Sequence, residues 1–386
     1  MGMWIGKGRK ARRCYGFDEV ALVPGSVTIN PEEVDTSWQI GEFKFPVPIL
    51  ASAMDGVVDT KFAIEMSRLG GLAVLNLEGV QTRYENPAEV IEKIVTATPE
   101  EATELVQSIY KEPIKEKLIS SRIEEIKKAK GWAVVSSIPS RAERFGSIAE
   151  EAGADIFVVQ ATVITVKHIA SQYKVLDFEK FCRSISIPII VGNTVTYNVA
   201  LELMDIGIDA LLVGIGPGAA CTTRGVLGIG VPQVTATCDA AAARDFHYKQ
   251  TGRYIPIITD GGMSYSGDIC KAFACGADAV MIGSALARAK EAPGKGYHWG
   301  MATPDVNLPR GTRIHMETTG TLKAILLGPA HLDDGSQNLV GALRTSMGSL
   351  GARDIREMQL TEIIVAPSIK TEGKTFQTAQ RVGMGK

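Results

Sequence analysis

Short, continuously apolar runs alternate along the chain with longer segments whose apolar residues recur at helical spacing. The apolar runs, bounded by Gly, Pro, Asp or Asn, fall at Pro48–Ser52, Gly71–Asn76, Trp132–Ser137, Asp155–Gln160, Pro188–Gly192, Asp209–Gly214, Ile255–Asp260 and Asp278–Gly283. Continuous rather than alternating hydrophobicity marks strands covered on both faces. Between most of them the spacing predicts helices, as over Thr60–Leu69, Tyr197–Met204 and Ser266–Ala274. A recurring junction supports this: Ala152-Gly-Ala-Asp155, Ile206-Gly-Ile-Asp209 and Cys275-Gly-Ala-Asp278 each read as a helix ending on glycine and running into a strand. Eight such β-α units close most simply into an α/β (β/α)8 TIM barrel. An open doubly wound sheet competes, but its glycine fingerprint is incomplete, because Gly214-x-Gly216 has no glycine at 219.

A barrel presents its chemistry at the C-terminal strand ends, with phosphate groups commonly held by the loops after strands seven and eight. Those loops read Asp260-Gly-Gly262 and Ile282-Gly-Ser284. Gly261, Gly262, Gly283 and Ser284 offer N–H and hydroxyl donors, expected at helix N-termini where the macrodipole also favours an anion. Asp260 is placed to accept hydrogen bonds from ribose hydroxyls, so a phosphorylated small molecule is the expected substrate.

Three segments stand outside the repeat of a single domain spanning 1–386. Residues 1–46 are expected to cover one end of the barrel. Residues 83–131 are charged and helical, with Glu100-Glu-Ala-Thr-Glu104 and Arg122-Ile-Glu-Glu-Ile-Lys-Lys128, and read as a solvated connection between strands two and three. Residues 285–328, rich in Gly and Pro and carrying Trp299, Arg310, Arg313 and Glu317, read as an active-site flap.

Composition narrows the class. With 386 residues, 45% hydrophobic and 22% charged, the chain is long enough to bury a full core. A net charge of −2 gives no footprint for nucleic acid, and no apolar stretch approaches the roughly 18 residues a membrane span needs. Six cysteines without a C-x-x-C pair suggest reduced thiols in the cytoplasm. The basic start Met1–Arg13 lacks the apolar core of a secretory leader, and the five histidines show no metal-ligand spacing.

One cysteine departs from this background. The strand Asp209-Ala-Leu-Leu-Val213 runs into Gly214-Ile-Gly-Pro-Gly-Ala-Ala-Cys221-Thr-Thr-Arg224. Glycines let backbone groups approach a ligand closely, and Pro217 fixes one φ angle, so the thiol sits on a shaped loop rather than in packed core. Cys14, Cys182, Cys238, Cys270 and Cys275 lie mostly in apolar or helical patterns and read as ordinary packing or surface residues.

The segment Gly214–Arg224, followed by Gly228-Ile-Gly-Val-Pro-Gln233, closely resembles the catalytic loop of the IMP dehydrogenase and GMP reductase family. So do Phe17-Asp-Glu-Val-Ala-Leu22, Leu50-Ala-Ser-Ala-Met-Asp55, Gly192-Asn-Thr-Val-Thr196, Asp260-Gly-Gly262 and Met281-Ile-Gly-Ser284. The resemblance implies a barrel that binds a purine nucleoside 5′-monophosphate and exchanges a hydride with a nicotinamide cofactor. The residues after the cysteine look more like a dehydrogenase, using NAD, than a reductase, which typically has a lysine pair there. Segment 83–131 is too short for the pair of regulatory CBS modules that dehydrogenases usually carry, so the chain looks like a short branch without them.

The resemblance also implies roles. Cys221 would bond to the purine, and Thr223 with a flap arginine, Arg310 by position or Arg313 in reserve, would activate water. Ser52, Met54, Met301 and Glu317 would join Asp260 and the glycine turns in holding the nucleotide. Gln160, Thr162, Asn193 and Gly214 would face the cofactor. Gly216, Gly218 and Cys221 correspond to carbonyl ligands of a monovalent cation such as potassium, completed by Glu372 and Gly373 from a neighbouring subunit, which implies a homotetramer or an octamer. The sequence departs from the family at Ala219, where a phosphate-contacting serine is usual, and at Gln160, where an acid is usual. It departs again at Gly300-Met-Ala302 and at Gly311 after Arg310. A GMP reductase and a nucleotide-binding regulator without turnover are the alternatives.

Overall fold

The structure is a computed structural model describing residues 2–300 and 313–383. Eight parallel strands close into a barrel. They are β1 (Ile49–Ala51), β2 (Leu72–Asn76), β3 (Val134–Ser137), β4 (Ile156–Gln160), β5 (Ile189–Thr194), β6 (Ala210–Val213), β7 (Ile257–Asp260) and β8 (Ala279–Ile282). Closure comes from β8 pairing with β1, Val280 opposite Ile49. Nearly every strand residue is buried, which is why the runs are apolar throughout rather than alternating.

The helices on the outside are α1 (Thr60–Arg68), α2 (Pro87–Thr96), α3 (Pro99–Ile109), α4 (Glu116–Lys128), α5 (Pro139–Glu151), α6 (Phe178–Ser184), α7 (Tyr197–Asp205), α8 (Thr223–Leu227), α9 (Gln233–Thr251) and α10 (Ser266–Ala274). After β8 come α11 (Ser284–Ala287), α12 (Leu322–Leu327) and α13 (Leu339–Leu350). Among the described residues no helix is long and apolar enough to cross a membrane.

The N-terminal segment closes the bottom of the barrel. A hairpin of Trp38–Ile40 against Phe43–Phe45 packs on Trp132, just ahead of β3, with Phe45 and Trp132 ring centres 5.0 Å apart. Val20–Leu22 pairs with Ile363–Val365 and ties the two ends of the chain together.

Segment 83–131 differs from the solvated link expected of it. Its charge lies on outward faces, while α2, α3 and α4 each bury an apolar face, including Ile94, Val106 and Ile123. With Trp299, residues of α2 and α3 form a second hydrophobic cluster. Trp299 is fully buried and its Nε1–H donates to the Tyr110 hydroxyl at 2.9 Å. That hydroxyl in turn donates to the Asp55 carboxylate, which also accepts from the Val80 N–H at 2.9 Å. Arg313 completes the attachment, its guanidinium donating to the carbonyls of Ile94 and Ala97 at the C-terminal end of α2. Both described sides of the 301–312 stretch are therefore moored on the inserted helices. Replacing Trp299 by Phe removes the N–H donor and leaves a cavity where part of the buried indole was; urea denaturation is expected to show a loss of about 2 kcal/mol or more, and an unchanged midpoint would show that neither the bond nor the packing contributes.

Candidate active site

Four turns at the C-terminal strand ends converge because their backbones touch. Gln233, the first residue of α9, donates Nε2–H to the carbonyl of Val213 at 2.8 Å and of Asp260 at 2.9 Å, stapling the end of β6 to the end of β7. Gly214 lies inside this staple at φ +149°, and a Cβ there would stand 2.3 Å from the Asp260 carbonyl oxygen. Only glycine fits. On the far side, a Cβ on Gly283 would stand 2.8 Å from Met54 Sδ and 3.5 Å from Ser52 Oγ, so the turns after β1 and β8 are equally close.

Between these turns lies a cavity of about 1030 Å3. It gathers Cys221, Thr223, Ser52, Met54, Asp260 and the turn residues Gly261, Gly262, Gly283 and Ser284. Gln160, Thr162, Asn193, Gly214, Gly216 and Gly218 line it too. The Cys221 thiol is exposed and lies 3.3 Å from Thr223 Oγ1. Burial instead pushes the Cys182 thiol up to about 12 and the Cys270 thiol up to about 11, which suppresses their thiolates.

Asp260 keeps a partial opening to the cavity, yet the surrounding protein desolvates its carboxyl and pushes its pKa up to about 6. Asn193 Nδ2–H donates to Asp260 Oδ2 at 2.8 Å and opposes the shift, and Gln160 Nε2–H approaches the same oxygen at 3.5 Å. At the position where the resemblance leads one to expect an acid, the Gln160 amide offers Asp260 a donor. Asn193 and Gln160 thus orient Asp260, a task their expected place beside a cofactor did not foresee.

The phosphate turns differ from expectation in one respect. Gly261 N–H is engaged by the Met281 carbonyl at 3.0 Å, a connecting stretch separates Gly262 from α10, and α11 is a helix of only 4 residues. Local N–H groups of Gly262, Gly283 and Ser284, rather than a macrodipole, are what the site offers an anion. Ser284 Oγ shares a 2.8 Å hydrogen bond with Nε2 of His298, a fully buried cavity residue whose pKa burial pushes down, so the ring is neutral. Metal-ligand spacing is the wrong test for this histidine; its partner follows β8 and is 14 residues away in sequence.

Not every expected residue is found at this cavity. Arg310 and Met301 lie outside the described residues. Arg313, the reserve arginine, is committed to the α2 carbonyls and stacks on the Tyr297 ring at 4.7 Å. Glu317 is exposed and does not line the cavity. Nor do Glu372 and Gly373, so within one chain the cation carbonyls amount to the loop of Gly216, Gly218 and Cys221, where the Gly218 carbonyl already accepts from Cys221 N–H at 3.0 Å. The described residues of one chain do not by themselves form a closed cation cage. Among the described residues no cluster of His, Cys, Asp or Glu could hold a metal.

A closed eight-stranded barrel thus carries an exposed thiol and paired glycine turns around one cavity. The model of the IMP dehydrogenase / GMP reductase domain matches residues 14–373, and the chain belongs to that family. An uncharacterized oxidoreductase of Mycolicibacterium smegmatis is 37% identical over 370 residues, 94% of this chain and 99% of that one. The inosine-5′-monophosphate dehydrogenase of Cryptosporidium parvum is 31% identical over 381 residues, covering 92% of this chain and 90% of its own. A crystal structure of an IMP dehydrogenase/GMP reductase-like protein from Corynebacterium glutamicum superposes with a TM-score of 0.89 at 35% identity, covering 94% and 97% of the two chains. The short chain fits the absence of a CBS pair.

The raised Asp260 pKa carries a stability cost at neutral pH. The folded state holds this proton more tightly than the unfolded chain, so the group's contribution is fully present below the ordinary carboxylate value of 3.8 and is lost as pH rises through about 6. Asp260→Asn is therefore expected to stabilise the protein by about 1–3 kcal/mol at pH 7.5 and by much less at pH 4.5. Chemical denaturation at the two pH values tests this; equal effects would show that the carboxyl is not desolvated.

Proposed function

We propose that the protein oxidises inosine 5′-monophosphate to xanthosine 5′-monophosphate with NAD+, in the cytoplasm, as a step towards guanine nucleotides. The observation that carries the reading is the exposed Cys221 thiol, hydrogen-bonded to Thr223 and sharing one cavity with the turns that suit a nucleotide phosphate. Gly262, Gly283 and Ser284, the last held by His298, would grip the phosphate. Asp260, oriented by Asn193, would accept the ribose hydroxyls in its ionised form. Met54, packed over Gly283, would support the base.

With the nucleotide so held, the Cys221 thiolate adds to purine C2, which is a poor electrophile on its own. A nicotinamide held beside it would supply the acceptor for the hydride that leaves C2. Sγ and C2 are then joined as a thioimidate, and water adds to C2 to expel the thiolate and free the product. Thr223, buried and 3.3 Å from Sγ, would orient that water, and Arg310 would be the flap group that assists it. Gln160, Thr162, Asn193 and Gly214 border the space a nicotinamide would use. A homotetramer with a monovalent cation belongs to the same reading: Gly216, Gly218 and Cys221 would supply carbonyls from one copy, with Glu372 and Gly373 from the next.

Incubating the protein with IMP and NAD+, or with GMP and NADPH, and following reduced cofactor by ultraviolet absorbance separates the readings. Reduced cofactor appearing in the first mixture is expected; consumption in the second instead would make the protein a GMP reductase, and silence in both with nucleotide bound would leave a binding protein. Cys221→Ala is expected to bind IMP with unchanged affinity while turnover falls by about 10³-fold or more. A substantial residual rate in that variant would defeat the covalent scheme.

A further inference from the structure

We propose that Cys238 and Cys275 form an oxidation site, at which a peroxide converts the two thiols to a disulfide that works against the staple behind the Cys221 loop. Neither residue lines the Cys221 cavity, and the chemistry needs no nucleotide.

Both cysteines read as ordinary packing or surface residues along the chain, and the fold brings them together. Cys238 lies on the second turn of α9, and Cys275 caps the C-terminal end of α10. The two segments meet closely. Gly276 sits at φ +112°, and a Cβ on it would stand 2.4 Å from the Cβ of Ala241, one turn beyond Cys238 on the same face of α9. Across this contact the two thiols are hydrogen-bond partners. Their access to solvent differs: Cys238 is exposed, whereas Cys275 is buried.

Their surroundings divide the roles. The hydrogen bond from Cys275 holds the Cys238 thiol below its ordinary range, against desolvation and the neighbouring Asp239 carboxylate, which is itself paired with Arg12 at 2.7 Å. That same bond, with burial, pushes the Cys275 thiol up. Lys271, one turn back on α10 and donating to the Phe17 carbonyl at 2.8 Å, is the cation that favours charge developing on Cys275. An exposed, acidified thiol beside a second thiol is the arrangement of an attacking and a resolving cysteine. The Cys238 thiolate attacks one peroxide oxygen, the O–O bond breaks, and the departing oxygen takes a proton to leave as water. Cys238 is then a sulfenic acid. The Cys275 sulfur gives up its proton and attacks the Cys238 sulfur; the S–S bond forms, the S–O bond breaks, and the hydroxide leaves as a second water. The two thiols lose two electrons to the peroxide, and a dithiol reductant reverses the change. The bonded sulfurs stand only about 2 Å apart, so α9 is drawn towards the end of α10. Gln233 begins that helix, and its hydrogen bonds of 2.8 and 2.9 Å to the Val213 and Asp260 carbonyls are what the pull works against.

The test is to treat the full-length protein with hydrogen peroxide, block the remaining thiols, and map unreduced peptides by mass spectrometry. The expected product joins the peptides of Cys238 and Cys275 and disappears on adding dithiothreitol. In Cys275→Ser, dimedone is expected to accumulate on Cys238, because no thiol is left to resolve its sulfenic acid. Hydrogen exchange of the amides over 213–221 is expected to quicken by about threefold or more when the wild type is oxidised, and not in Cys238→Ser. Position 238 is exposed, so that variant is expected to fold, as circular dichroism will show. Absence of the linked peptide from the wild type, or a link from Cys238 to Cys14, which lies against the Arg12 carbonyl, would overturn the site. Unchanged exchange over 213–221 despite a complete disulfide would overturn its action on the staple.

Discussion

The contact between the Gly214 turn and the end of β7 is the constraint on which the site depends. Gln233 holds the Val213 and Asp260 carbonyls together, and the space left admits no side chain at 214. The loop that follows must then cross over the next turn: a Cβ on Gly261 would come within 3.2 Å of Pro217 and 3.3 Å of the Gly218 nitrogen. Cys221 thereby stays exposed in the same cavity as the glycine turns instead of folding back into the barrel. Glycine at these positions reflects the nearness of two backbones that the site needs side by side.

A second constraint is electrostatic. Asp260 sits deep enough to resist ionisation, and Asn193 and Gln160 approach it as neutral donors. The neutral His298 beside Ser284 continues the pattern of uncharged groups holding charged or hydroxylic ones in place. Such a pocket leaves the compensating interactions to its ligand, as binding sites do when they trade stability for function.

The barrel was legible in the chain because burial on both faces writes itself as unbroken apolar runs, and the helix-ending glycines before Asp155, Asp209 and Asp278 punctuate it. The cysteine loop and the glycine turns were legible for a related reason: their residue types answer to local backbone shape. What escaped depends on pairings between distant segments. Nothing in the spacing of the histidines shows that Ser284 lies against His298, and nothing beside Arg313 shows that α2 claims its guanidinium. The acidic, helical look of 83–131 concealed buried faces and the Lys111 end of α3, since a charge count does not say which side of a helix meets the cavity.

If the thiol performs the chemistry, it must be caught bonded to its substrate. Acid-quenching the protein during turnover with IMP and NAD+ and mapping peptides by mass spectrometry is the most direct measurement. The expected result is a purine nucleotide attached to the peptide containing Cys221 and to no other cysteine peptide. Turnover without any adduct, or an adduct on a different cysteine, would contradict the account.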